Sequence, residues 1–111
     1  MNGANNPKIR AAMEYGKRKH VEMQSSCHEK EVSLSSGRPD CVMFSKDDCK
    51  AIEFKPSSIG VDEAVTQARR YLADVSRYYK DDKRAVENCR TDSSGLPLFT
   101  AEGKTYPACT P

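Results

Sequence analysis

The chain predicts an α/β domain: a mixed, mostly antiparallel sheet flanked by helices. Three observations carry this. Residues 7–24 and 61–79 both place apolar side chains at helical spacing. Between them lie two short apolar segments, DCVMFS (Asp40–Ser45) and CKAIEFK (Cys49–Lys55), joined by the polar Lys46-Asp47-Asp48. Breakers close the pair off, Ser36-Gly37-Arg38-Pro39 before it and Pro56-Ser57-Ser58-Ile59-Gly60 after it.

The elements follow in order. The NGANN opening reads as a loop. Asn6-Pro7 is a helix start, with Asn as cap and Pro at the first helical position, and Ile9, Ala12, Met13, Gly16, His20 and Met23 continue the stripe. Residues 25–29 read as a polar connection. Val32 and Leu34 alternate in Glu31–Ser35, which predicts a first strand. The hairpin Asp40–Ser45 and Cys49–Lys55 follows. The second helix, 61–79, carries Val61, Ala64, Val65, Ala68, Leu72, Val75 and Tyr79 on one side, with Asp62 and Glu63 suited to its N-terminal dipole. The charge run Lys80–Arg84 reads as a solvated turn, and residues 91–95 as a loop. Leu96–Ala101 and Thr105–Cys109 predict two late strands around Glu102-Gly103.

A length of 111 residues fits one domain, and no stretch approaches the run of about 18 apolar residues that a membrane span needs. The N-terminal MNGANNPKIR lacks the apolar core of a signal peptide. The net charge of +2 is no strong polyanion signature, but residues 1–30 hold six basic side chains against three acidic ones, a local +3. That excess favours phosphate backbones, and an ordinary solvated helix face explains it equally well. Five cysteines without a C-x-x-C pair argue against zinc, including a site drawn from Cys27, His28, Cys41 and Cys49. Buried free thiols are the default reading, with a Cys89–Cys109 bridge as the alternative.

The hairpin brings chemistry together. Pairing Ser45 with Asp48, or Phe44 with Cys49, sets Asp40 opposite Glu53 either way. Alternation puts Glu53 and Lys55 on one face, with Ile52 and Phe54 on the other as anchors. Cys41 and Cys49 then face opposite sides, which disfavours a bridge between them. Two close carboxylates repel and favour a cation between them. Magnesium suits such a pair, since it takes one or two carboxylates and completes its shell with water and phosphate oxygens. A cross-strand ion pair on an exposed face is the plainer alternative.

Pro39-Asp40 followed by Glu53-x-Lys55 resembles the PD-(D/E)XK nuclease superfamily, over about residues 7–80. The resemblance implies a restriction-endonuclease-like core of α-β-β-β-α-β order, with residues 1–90 as nuclease core and 91–111 as a C-terminal extension packed on it. It implies Asp40 and Glu53 as metal ligands, Lys55 as catalytic lysine, and Mg2+ as cofactor with Mn2+ as substitute. It also implies an acidic contribution from the first helix, for which Glu14 comes first and Glu22 second. Gln67 matches a polar position on the helix after the lysine. Arg69, Arg70 and Arg77 are candidates for phosphate contact, and Tyr71, Tyr78 and Tyr79 for base stacking, against plain exposure or core packing. His20 reads as a partly buried core histidine rather than a general base.

Within the superfamily the short chain is most similar to the C-terminal DNase toxin domains of bacterial contact-dependent or secreted effectors. That implies DNA as substrate before RNA, a larger effector polypeptide, and a cognate immunity protein. It also implies secretion followed by action in the target-cell cytoplasm. The alternatives are a repair or resolvase-type nuclease, a tRNA-cleaving toxin, and a non-catalytic nucleic-acid-binding module of the same fold.

Overall fold

In the computed structural model, which describes residues 6–109, the element order is α1 (Pro7–Gln24), β1 (Cys41–Ser45), β2 (Asp48–Pro56), α2 (Val61–Arg69), α3 (Leu72–Tyr78), α4 (Lys83–Asn88) and β3 (Phe99–Tyr106). The loop expected over the first residues lies outside the described part at positions 1–5, as do positions 110 and 111. The first helix has the predicted bounds, because Asn6 Oδ1 accepts the Lys8 and Ile9 amides and Pro7 opens the first turn. Its N-terminal part stands clear of the sheet, leaving Ile9 and Met13 exposed.

The sheet is mixed, in the order β1-β2-β3. β1 and β2 form the expected antiparallel hairpin, with Phe44 opposite Cys49 and Ser45 opposite Asp48. Asp47 turns the corner with a φ of 58°, in the left-handed region that Asp tolerates better than most residues. β3 runs parallel to β2 along the whole of Cys49–Pro56, so the sheet is not mostly antiparallel as predicted. Two late strands were expected around Glu102-Gly103, and one continuous strand crosses that point. Gly103 is needed there for close approach rather than for a turn: a Cβ on it would lie 2.7 Å from both the Ala64 Cβ and the Val61 carbonyl oxygen of α2.

The strand expected at Glu31–Ser35 does not form. Glu29 exchanges both backbone hydrogen bonds with Val42, and the Glu31 amide donates to the Pro39 carbonyl. Glu31 then adopts a φ of 51°, which bends the chain away from β1 after that single bridge. Leu34 and Gly37 bond each other instead, and Asp74 holds the turn through Ser35 and the Ser36 amide. The β1 edge is nonetheless covered, since His28 Nδ1 accepts the Phe44 amide.

The predicted 61–79 helix is broken. The Arg70 and Tyr71 amides turn to the carbonyls three residues back, and Tyr71 swings its ring into the core beside Gly37. The charge run does not remain a simple solvated turn. Asp82 caps α4, and Arg84 lays its guanidinium 4.5 Å from the Phe44 ring centroid while bonding Glu29 at 2.7 Å.

The two sheet faces carry separate cores. Val42, Phe44, Cys49, Ala51 and Phe99 pack under α2–α4 with Tyr71, Val75, Tyr79 and Ala85. Cys41, Ile52, Phe54 and Tyr106 pack against Tyr15 and Met23 of α1. Each face holds a disulfide, Cys49–Cys89 on the first and Cys27–Cys41 on the second. Free thiols were the default reading and Cys89–Cys109 the alternative; both are corrected, and Cys109 is the free cysteine. Cys41 and Cys49 do face opposite sides. Among the described residues no helix is long and apolar enough to cross a membrane.

Candidate active site at the open end of the hairpin

One step beyond the Cys41–Ile52 pair, the register sets Asp40 opposite Glu53. Two reciprocal bonds lock them there. The Asp40 amide donates to Glu53 Oε1 at 3.0 Å, and the Phe54 amide donates to Asp40 Oδ2 at 2.8 Å. Glu53 and Lys55 continue the face of Cys49 and Ala51, while Ile52 and Phe54 face α1.

Glu53 is only 2% exposed. Its neighbour on β3 is Gly103, which lets the α2 backbone press onto the sheet beside the carboxyl. Burial raises the Glu53 carboxyl from its ordinary value to about 8, and the adjacent Asp40 carboxyl adds to the rise. The positive charge of Lys55 pulls the other way, so the ammonium is near enough to be felt. Burial and Asp40 together thus favour the protonated form of Glu53, and a nearby cation would favour the charged one.

From α1 the residue that reaches this pair is His20. Its Nδ1 lies 3.6 Å from Asp40 Oδ1, and its ring meets Phe54 and Tyr106 edge-on at centroid distances of 5.9 and 5.6 Å. Gln24, itself buried, donates from Nε2 to the Asp40 carbonyl at 2.9 Å. Burial raises the Tyr106 hydroxyl, and the charge of Asp40 adds to it. Glu14 is exposed, and Glu22 is exposed and paired with Lys19, so neither of the acids expected from the first helix joins the pair. The signal for His20 was present in the sequence, because a polar ring on an otherwise apolar stripe needs a polar partner. The signal for Gln24, at the last residue of the helix, was not.

The remaining candidates lie elsewhere. Gln67 donates its amide to the Tyr71 hydroxyl at 3.2 Å, across the break between α2 and α3. Arg69 and Arg70 are exposed, and Arg77 is engaged by Asp74 at 2.6 Å. Tyr71 and Tyr79 are core residues, and Tyr78 is exposed. Among the described residues no group of three or more His, Cys, Asp or Glu side chains is arranged to hold a metal ion. What the site offers is a carboxylate pair, and the mutual repulsion of Asp40 and Glu53 is the feature that would favour a divalent cation there.

A cleft of about 580 Å³ runs along α1, lined by Met13, Lys17, His20, Val21, Gln24 and Tyr106 among others, and by neither Asp40 nor Glu53. No protein-family model, curated protein or solved structure matches the chain.

Proposed function

We propose that the protein is a metal-dependent nuclease, with Asp40 and Glu53 as the ligands of Mg2+ (Mn2+ substituting) and Lys55 as the catalytic lysine. The observation that carries this reading is the buried Glu53 carboxyl locked against Asp40 by two reciprocal backbone bonds, with Lys55 on the same strand face as Glu53. A structural cross-strand contact has no need of a second carboxylate at a site where one already raises the other. A bound divalent cation would supply charge neutralisation at the phosphoryl group and a more acidic water.

The chain's own residues do the rest. The Phe54 amide orients Asp40 through Oδ2, and His20 lies 3.6 Å from Oδ1, the oxygen turned toward α1. Lys55 steers the attacking water and offsets charge developing on the phosphate. The apolar packing of Ile52 and Phe54 below keeps the strand that carries these groups rigid.

The substrate proposed is DNA before RNA, and the biological setting is a toxin domain carried by a larger secreted effector and neutralised by an immunity protein. Two disulfides support a passage through an oxidising compartment. One observation favours a second reading, a non-catalytic binding module: Glu53 Oε1 already serves as acceptor for the Asp40 amide, a purely structural role.

Cleavage of plasmid DNA and of total tRNA with Mg2+, with EDTA and with Lys55→Ala separates the two. Metal-dependent cleavage that falls at least about 100-fold in Lys55→Ala supports the nuclease. Intact substrate with folded protein supports the module.

A further inference from the structure

β3 lies at the edge of the sheet, and its parallel pairing with β2 decides which of its backbone groups are free. The Ser57 amide donates to the Tyr106 carbonyl at 2.8 Å, and Tyr106 is paired with Pro56. In a parallel ladder a residue that bonds its neighbour through the carbonyl does so through the amide too, and the next residue turns both away. Thr100, Glu102, Lys104 and Tyr106 therefore bond β2, while Ala101, Gly103 and Thr105 aim amide and carbonyl outward. Among the described residues nothing bonds those outward groups. The β1 edge differs, since Glu29 bridges Val42 and His28 takes the Phe44 amide.

The charges on β3 select what can pair there. Glu102 and Lys104 flank Gly103 and share the face that carries Ile52 and Phe54 on β2. A lone lysine on an edge blunts pairing, but here the opposite charge stands two residues away. Lys104 is exposed and makes no ion pair among the described residues. Set a second β3 antiparallel with the two-fold axis at Gly103, and each Glu102 falls opposite a Lys104. Ala101 then falls opposite Thr105, so the outward amides and carbonyls meet in hydrogen-bonded pairs. An axis at Glu102 or at Lys104 would instead place like charges directly opposite, which is destabilising. Lys50 already lies 3.4 Å from Glu102, so charges across the joined sheet alternate: Lys50, Glu102, the second copy's Lys104. Pro107 has no amide and ends the ladder.

The helix layer permits this approach. α2 packs on β2 as well as on β3, which keeps its axis inboard of the free edge. Val61, whose carbonyl oxygen lies over Gly103, is 48% exposed and gives apolar surface beside the axis for the second copy to cover.

We infer that the partner of the β3 edge is a second copy of this chain, paired antiparallel about Gly103 to join the two sheets into one. Glu53 stands beside Gly103 on β2, so the two Glu53 Cα atoms then lie about 15 Å apart on a single sheet face. Dimerisation does not depend on the nuclease reading.

The experiment is sedimentation velocity on the whole chain, taken up to roughly 500 µM because a strand-edge contact is modest in area. The expected result is a concentration-dependent monomer–dimer equilibrium. Lys104→Glu and Glu102→Lys, each alone, oppose like charges twice across the axis and should weaken self-association at least about tenfold. Mixed in equal amounts, the two variants oppose unlike charges at both places and should dimerise again. Thr105→Pro removes an outward amide without touching a bond to β2, and should also leave monomer. Circular dichroism checks that each variant is folded. A monomer at every concentration, growth beyond the dimer, single charge variants that dimerise like the wild type, or a mixture that stays monomeric would each overturn the proposal.

Discussion

The two ends of β2 share a strand and a face, yet are built on opposite principles. At the Cys49 end the neighbours are Val42, Phe44, Tyr79 and Phe99, tightened by the bond to Cys89. At the Glu53 end, four residues on, the neighbours are Asp40, whose carbonyl accepts from Gln24 and whose side chain lies 3.6 Å from His20, and the bare backbone of Gly103. The first end stabilises the fold. The second buries a carboxyl against another carboxyl, an arrangement that costs stability in the free protein. The lesson is that a small domain can hold an unfavourable polar pair in place when the same strand is anchored by apolar packing and a covalent link a few residues away.

The sharpest way to break that comparison is at the anchored end. Cys49→Ala with Cys89→Ala opens a link across 40 residues of chain, worth about 4 kcal/mol on chain-entropy grounds. The thermal midpoint should fall by roughly 15–25 °C, read by circular dichroism. The Cys27–Cys41 link spans 14 residues and should cost less, about 3 kcal/mol.

At the polar end the expected effect is a pH dependence. The folded Glu53 carboxyl sits near 8, above its ordinary value of 4.5, so the folded state binds this proton more tightly than the unfolded chain does. Its contribution to stability is present in full below about pH 4.5 and is lost as pH rises through about 8. Without metal, the midpoint should therefore fall by something on the order of 10 °C between pH 5 and pH 9 from this group. Glu53→Gln, a neutral stand-in for the protonated acid, should flatten that part of the profile. A wild-type profile indistinguishable from that of Glu53→Gln would show that the carboxyl is not burdened as described.

Smaller changes sharpen the contrast. Arg84→Ala removes the guanidinium from Phe44 and from Glu29, and should cost about 1 kcal/mol because the side chain is partly exposed. The Tyr79 hydroxyl is buried with no hydrogen-bond partner among the described residues. Tyr79→Phe should be neutral or stabilise by up to about 1 kcal/mol, and a clear loss of stability in chemical denaturation would reveal a partner for that oxygen.

What the sequence made legible follows from local rules. The Asn6-Pro7 start fixed α1, the short polar turn fixed the hairpin register, and two-residue alternation fixed the faces of Ile52, Glu53, Phe54 and Lys55. The misreadings all depend on contacts distant in sequence. Nothing near Cys89 points to Cys49, because they lie 40 residues apart and meet through the packing of α4, which Arg84 ties to Glu29 beside the β1 edge. Gly103 looks like a turn until α2 is placed on top of it. The alternation in Glu31–Ser35 suggested a strand, but Glu31 bends away and Asp74, far along the chain, captures the turn.

The two disulfides close consecutive loops, residues 27–41 and 49–89, and the hairpin turn lies in the gap between them. No covalent bridge therefore spans Lys46-Asp47. A single cut after the exposed Lys46 would leave two fragments, each with its own internal bridge, that separate on a gel without reduction. Asp40 travels with one fragment, and Glu53 and Lys55 with the other. The site is thus divided across a seam where only strand pairing and packing join the halves, and the protein could be reassembled from two separately made pieces.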